Sequence, residues 1–240
     1  MSDMESEVKH KFKKQSLCDM RYAICVKRVT ILCGHYGSGK TNIAVNIALA
    51  LKNKYQKVAL ADMDIVNPYY RHKAASETLM KAGVRLIASE FANSTVDFPA
   101  LPSELYSVID DKETRFVLDI GGDDRGALAL GRLTSALKDG NDYEMLFVVN
   151  KHRPLTQTPQ DAFAIMREIE TACGLAFTGI ANNPNIGVET TEKTIADGAE
   201  YAKEVSRLAG LPIKFTAAKE NLADRLDGKI ANLLPLKIFN

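Results

Sequence analysis

Eight consecutive residues, Gly34-His35-Tyr36-Gly37-Ser38-Gly39-Lys40-Thr41, satisfy the pattern G-x-x-x-x-G-K-[ST]. Each residue type there has a chemical reason. Glycines let the backbone curl until successive N–H groups face one point, and a helix beginning beyond them adds its positive end, so the loop suits an anionic phosphate. Lys40 is placed to reach the β- and γ-phosphates of a nucleotide, and the Thr41 hydroxyl to ligate Mg²⁺. The pattern carries weight only between a strand and a helix. The apolar run Val29–Cys33 before it, and Ile43, Val45, Ile47 and Leu51 after it, supply that setting.

Two acidic segments add the rest of a nucleotide site. Phe116-Val117-Leu118-Asp119 reads as an apolar strand ending in a carboxylate, the form of a Walker B element. Asp119 then stands at a strand's C-terminal end, where ligands bind in open α/β sheets. The continuation Asp119-Ile120-Gly121-Gly122 reads D-x-x-G, in which a glycine amide can sense a γ-phosphate. Asp62-Met63-Asp64 closes the run Val58–Ala61, placing one carboxylate near Mg²⁺-bound water and the other near an attacking water. The competing reading makes these acids helix caps before Asn67-Pro68.

The elements that must position these groups follow from periodicity. Runs of strand length occur at Val29–Cys33, Val58–Ala61, Val84–Ile87, Phe116–Leu118, Met145–Val149, Thr178–Ala181 and Ile213–Phe215. Helical spacing spans Thr41–Lys52, Tyr69–Ala82, Leu105–Asp110, Gly126–Lys138, Pro159–Cys173 and Thr190–Ala209. Apolar strands alternating with helices predict a P-loop α/β three-layer sandwich, a mostly parallel sheet of about seven strands with helices on both faces. Residues 1–27, rich in Lys, Ser and Asp, read as a loosely ordered arm with a short helix around Leu17–Ile24, and residues 28–240 as one nucleotide-binding domain. Ser89–Pro102, with Asn93, Pro99 and Pro102, reads as an irregular loop.

Composition narrows the function classes. The 240 residues carry 31 basic and 30 acidic side chains, a net charge of +1, which argues against a broad nucleic-acid surface. Cys18, Cys25, Cys33 and Cys173 form no C-x-x-C pair and read as reduced thiols. No apolar run approaches the length of a membrane span, and the charged N-terminus lacks a signal peptide's apolar core, so the expected location is the cytoplasm. Leu222, Leu226, Ile230 and Leu233 share helical spacing, but the mixed charges between them and Gly228 favour packing on the sheet over stable membrane association.

Taken together, these segments resemble the ParA/MinD family of P-loop ATPases, the CobQ/CobB/MinD/ParA nucleotide-binding domain, from about Arg28 to the C-terminus. The resemblance implies ATP binding with Mg²⁺, slow hydrolysis, and a nucleotide-dependent homodimer whose surface is read by a client protein. By position it makes Gly34–Thr41 the nucleotide loop, Lys40 the phosphate-binding lysine, Thr41 the Mg²⁺ ligand, Asp62 the residue behind the Mg²⁺-bound water, Asp64 the water-orienting residue and Asp119 the Walker B carboxylate. Asn182 or Asn183 matches the adenine-binding asparagine, the register between them being open.

The loop departs from that family at two places. Its signature lysine, directly after the first glycine, is His35 here, and Tyr36 replaces a glycine. A neutral imidazole cannot replace an ammonium opposite phosphate, which weakens the case for the sandwich dimer. Arg71, Arg125 or Arg153 could compensate, and the sequence does not select among them. The stretch 119–131 contains no Cys, so a bridging iron–sulfur cluster is not expected. Asn150-Lys151-His152-Arg153 superficially matches the guanine motif N-K-x-D, yet Arg153 offers donors where guanine needs an acceptor, which favours adenine. That turn reads as a solvated basic turn before Pro154, with a phosphate or substrate contact as the alternative. Two further functions compete with a switching ATPase. One is an ATP-dependent biosynthetic enzyme, a kinase-like ligase or amide synthase with Asp123-Asp124-Arg125 facing its acceptor. The other is a nucleotide-gated binding module without turnover.

Overall fold

Eight short, largely apolar segments, most of their residues buried, line up side by side in one sheet. The structure is a computed structural model and describes residues 27–63, 73–88, 101–122 and 124–239. Within these the strands are β1 (Val29–Cys33), β2 (Val58–Met63), β3 (Arg85–Ala88), β4 (Arg115–Ile120), β5 (Tyr143–Val149), β6 (Gly179–Asn182), β7 (Ile213–Lys219) and β8 (Leu233–Leu236). Their order is β3-β2-β4-β1-β5-β6-β7-β8. Each neighbouring pair is parallel, and burial on both faces is why the strands read as continuous apolar runs rather than alternating ones. The expected arm, residues 1–26, and most of the expected loop, residues 89–100, lie outside the described residues.

The helices are α1 (Lys40–Lys52), α2 (Lys73–Lys81), α3 (Ser103–Asp110), α4 (Asp124–Gly131), α5 (Thr134–Gly140), α6 (Pro159–Cys173), α7 (Glu192–Ala209) and α8 (Glu220–Leu226). On one face, Ile43, Val45 and Ile47 of α1 and Leu79 of α2 pack on Leu32, Leu60, Val117 and Val148. On the other, residues of α3 to α7, among them Ile109, Leu130, Leu137, Met166 and Val205, pack on Ile31, Phe116, Leu118 and Phe147. Helix ends follow local chemistry. Thr158 caps α6 by accepting from the Asp161 N–H, Pro159 opens it, and Gly174 closes it in the left-handed conformation. At α7, Thr191 and Thr194 form a reciprocal capping box.

Topology places the loop. From β1 the chain goes to β2 and β3 on one side, returns with β4 between β2 and β1, and then crosses to β5 on the other side. The C-terminal end of β1 is therefore the point where winding reverses, the position at which open α/β sheets bind ligands.

Two expectations need correcting. Gly126–Lys138 is not one helix: the Arg132 and Leu133 amides donate to Ala129 and Leu130, three residues back, and this tight turn separates α4 from α5. Leu130, Leu133 and Leu137 are thereby all buried against the sheet. The expected sheet of about seven strands is present with eight, but Leu233 belongs to the last of them and not to a helix continuing from Leu222, Leu226 and Ile230. Gly228 and Asn232 both take positive φ, 75° and 54°, which ends helical geometry before Leu233. Pro235 obscured the strand, and β8 lies at the sheet edge, where proline is tolerated. The expected packing holds: Leu222, Leu226 and Leu233 cluster with Ile195 and Ala218. Beyond β8 the chain is tied to α1, the Lys237 amide donating to Asn46 Oδ1 at 2.9 Å and the Phe239 amide to Asn42 Oδ1 at 3.2 Å. No helix among the described residues is long and apolar enough to cross a membrane.

Candidate functional site

Between β1 and α1 the chain curls through residues 34–39 and is held from two sides. A Cβ on Gly34 would stand 2.2 Å from the Val148 carbonyl oxygen of β5, so only glycine admits so close an approach. Gly39 takes φ +89°, and a Cβ there would stand 2.1 Å from Asn183 Nδ2. That amide donates to the Ser38 carbonyl at 2.6 Å, locking the loop to the end of β6. Its neighbour turns the other way: Asn182 Nδ2 donates to Thr216 Oγ1 on β7 at 3.3 Å. The register left open by the sequence thus separates geometrically, Asn183 lying against the loop and Asn182 against β7.

Lys40 opens α1 and is only 5% exposed. Its Nζ folds back to donate to the Gly34 and His35 carbonyl oxygens at 3.0 and 3.2 Å. Two neutral carbonyls are weak partners for a buried ammonium, whereas a charged oxygen acceptor binds about twice as strongly. Ser38 Oγ, Asn182 Oδ1 and Asn183 Oδ1 are also buried without a hydrogen-bond partner among the described residues. A cradle of backbone, one buried ammonium and the unanswered Ser38 hydroxyl, which can donate, fits a bound polyphosphate; the two amide oxygens accept only and do not serve phosphate.

The acids arrive through strand register. Asp62 of β2 lies opposite Asp119 of β4, and Asp119 opposite Leu32 of β1. Register partners in parallel strands point to the same face, and Leu32, Leu60 and Val117 of that face pack on α1. Asp62 and Asp119 therefore face the loop's own helix, 3% and 1% exposed. With the half-buried Thr41 they provide hard oxygen donors of the kind Mg²⁺ takes, although no group of three His, Cys, Asp or Glu side chains gathers as a metal cage among the described residues. Asp64, Arg71 and the side chain of Arg125 lie outside the described residues.

Beyond Asp119 the chain presses on the loop: a Cβ on Gly122 would stand 2.4 Å from the Tyr36 amide nitrogen. Next to this contact is a cavity of about 390 Å³, lined by His35, Tyr36, Gly122, Leu155, Ile169 and Cys33 among others. Tyr36 and Leu155 are 59% and 56% exposed on its rim. Periodicity had no signal for this cavity. The one sequence hint was Tyr36 standing where a glycine would otherwise curl the loop. Burial, reinforced by Cys173, pushes the Cys33 thiol well above its ordinary range, which disfavours the thiolate that a nucleophile needs.

The basic segment after β5 is a built turn. Asn150 is buried, its Oδ1 accepting from the His152 amide at 2.9 Å and its Nδ2 donating to the Asn185 carbonyl at 3.0 Å. The Asn150 carbonyl accepts from Thr156 Oγ1 at 2.7 Å and from the Arg153 amide at 3.1 Å. Partial burial first, and then the charges of Lys151 and Arg153, lower the His152 pKa, with Asp197 opposing.

The profile of the CobQ/CobB/MinD/ParA nucleotide binding domain matches residues 29–195, well over half of the chain. No protein of curated function matches significantly. Among solved structures, FtsY from Thermotoga maritima superposes with a TM-score of 0.55 at 16% identity, over 88% of this chain and 65% of that one. FtsY from Mycoplasma mycoides gives 0.53 at 17%, over 82% and 61%. The signal recognition particle 54 kDa protein from Aeropyrum pernix K1, solved in complex with GDP, gives 0.52 at 17%, over 81% and 42%. The chain spans less than two thirds of each, and at such identities the likeness is one of fold.

Proposed function

Because the chain belongs to the CobQ/CobB/MinD/ParA nucleotide-binding domain family, we propose that it binds ATP with Mg²⁺ at residues 34–41, hydrolyses it slowly, and uses the nucleotide state to switch a client protein in the cytoplasm. The observation that carries this reading is Lys40, a buried ammonium folded onto its own loop's carbonyls where a phosphate would serve it better. Lys40 and the loop amides hold the phosphates, and Thr41, with Asp62 and Asp119 behind it, holds Mg²⁺. Bound Mg²⁺ would neutralise charge on the phosphate oxygens. Asp64 orients the attacking water, and catalysis rests on positioning and electrostatics.

Three observations support adenine over guanine. Asn150, the residue that would imitate a guanine-binding asparagine, has both side-chain polar atoms engaged within its turn region. Arg153 supplies donors only. Asn183 is the asparagine that reaches the loop, and three residues after it, where the guanine motif carries its Asp, stands Ile186. Asn183 is then the base-reading residue. The exposed Tyr36 and Leu155 beside the loop support a surface completed by a second copy or by the client.

The test is phosphate release from Mg-ATP together with solution mass, for the natural protein and Lys40→Ala. Turnover lost in Lys40→Ala, with ATP-dependent dimerisation of the natural protein, supports the switch. Turnover that survives Lys40→Ala contradicts it. Phosphate release only with an added small acceptor would favour the biosynthetic reading instead.

A further inference from the structure

Arg153 lies outside the loop in sequence and against it in space. An ideal Cβ on Gly37 would stand 3.4 Å from Arg153 Nε, 3.5 Å from its Cζ and 3.6 Å from its Cδ, so the guanidinium and the end of its stem lie over the middle of the loop. The residue is half-buried, and its Nε is fully buried with no hydrogen-bond partner among the described residues. No described carboxylate pairs with it. A guanidinium with a desolvated, unanswered N–H is costly to hold unless an acceptor arrives.

The turn that carries it is not free to drift. Four hydrogen bonds centred on Asn150 fix residues 150–156, Pro154 sets the backbone immediately after Arg153, and Tyr201 Oη donates to the Thr156 carbonyl at 2.6 Å. β5 is the neighbour of β1 in the sheet, so the turn and the loop leave the same sheet end side by side.

The loop itself contributes one ammonium, Lys40, toward a phosphate chain carrying several negative charges. His35 sends its Nδ1 to the Tyr36 carbonyl at 3.0 Å. We propose that Arg153 is a phosphate-binding residue, the second cation of the site, delivered in cis from the β5 turn onto the loop. The inference rests on the nucleotide reading above and adds to it a residue that the loop pattern does not contain. Arginine suits the role because the planar fork of Nε and one terminal nitrogen can hold two oxygens of one phosphate, which gives the buried Nε–H the acceptor it lacks.

The test is calorimetric binding of ADP and of a non-hydrolysable ATP analogue, in the presence of Mg²⁺, to the natural protein, Arg153→Ala, Arg153→Gln, Arg153→Lys and Lys151→Ala. Loss of a charged hydrogen bond weakens binding by about tenfold or more. Arg153→Ala and Arg153→Gln should each show that loss, Arg153→Lys an intermediate one, and Lys151→Ala, a cation of the same turn with no described contact to the loop, a change within about twofold. Circular dichroism melting identifies any variant that fails to fold, and Arg153→Gln, which keeps much of the side chain's bulk, then decides. Binding by the natural protein that is unchanged in Arg153→Gln, or weakened equally in Lys151→Ala, overturns the role of Arg153 alone. A natural protein that binds neither ligand overturns the nucleotide reading, and this proposal with it.

Discussion

Gly39→Ala probes the lock between Asn183 and the loop, and its size can be worked from the structure. At φ +89° an L side chain sits in left-handed geometry, which costs about 1–2 kcal/mol. The added methyl would fall 2.1 Å from Asn183 Nδ2, so that amide must swing away. Its 2.6 Å bond to the Ser38 carbonyl is then lost, at about 1 kcal/mol or somewhat more, since the carbonyl loses this donor. The sum is about 2–4 kcal/mol, which in a chain of this size lowers Tm by roughly 5–12 °C. Gly210→Ala is the matched control: φ is +67°, yet nothing lies within 4 Å of the new methyl. It should cost only the backbone strain, about 1–2 kcal/mol, and a few degrees. Differential scanning calorimetry of both variants separates contact from strain. Equal losses of Tm in the two would refute the idea that Asn183 and Gly39 form a lock.

Gly122→Ala forces a methyl to within 2.4 Å of the Tyr36 amide nitrogen, so the D-x-x-G segment and the loop must part; nucleotide affinity should fall at least tenfold in a fluorescence titration while the fold persists by circular dichroism. Cys33, buried and pushed up in pKa, should resist iodoacetamide at pH 8 in the folded protein and react only after denaturation, as peptide mapping will read. His152 should titrate below the usual imidazole range by NMR, held there first by partial burial and then by Lys151 and Arg153; in Arg153→Ala its pKa should rise part of the way back. The sign for stability follows: the unfolded chain binds this proton more readily, so the small contribution of His152 is unfavourable below about pH 6.5 and vanishes above it.

What sequence reasoning could reach depended on how local the signal was. The loop, β1 and α6 were legible because one contiguous stretch carries both the pattern and its flanking caps. Residues Val29–Cys33 and Pro159–Cys173 fall at the expected bounds. Asp119 and Asp62 were legible as strand ends, but their side-by-side placement required the β2–β4 register, which no single strand encodes. Asn182 and Asn183 could not be told apart, since adjacent residues at a strand end differ only in the face they take, and packing decides that. Arg153 was one arginine among three; the β5–β1 pairing brings it against the loop, while Arg71 and the side chain of Arg125 lie outside the described residues. The helix break after Gly131 and the edge strand Leu233–Leu236 were hidden for opposite reasons. The first continues a helical period across a tertiary turn, and the second carries a proline that only an edge position tolerates.

The central claim, that Lys40 and its loop hold an adenine nucleotide, is tested most directly by equilibrium competition. A fluorescent ATP would be bound to the natural protein with Mg²⁺ and displaced in parallel by unlabelled ATP and GTP, with Lys40→Ala alongside. The account predicts displacement by ATP at least tenfold more effective than by GTP, and no binding to Lys40→Ala. Equal or better displacement by GTP would contradict the adenine assignment, and undiminished binding to Lys40→Ala would contradict the site itself.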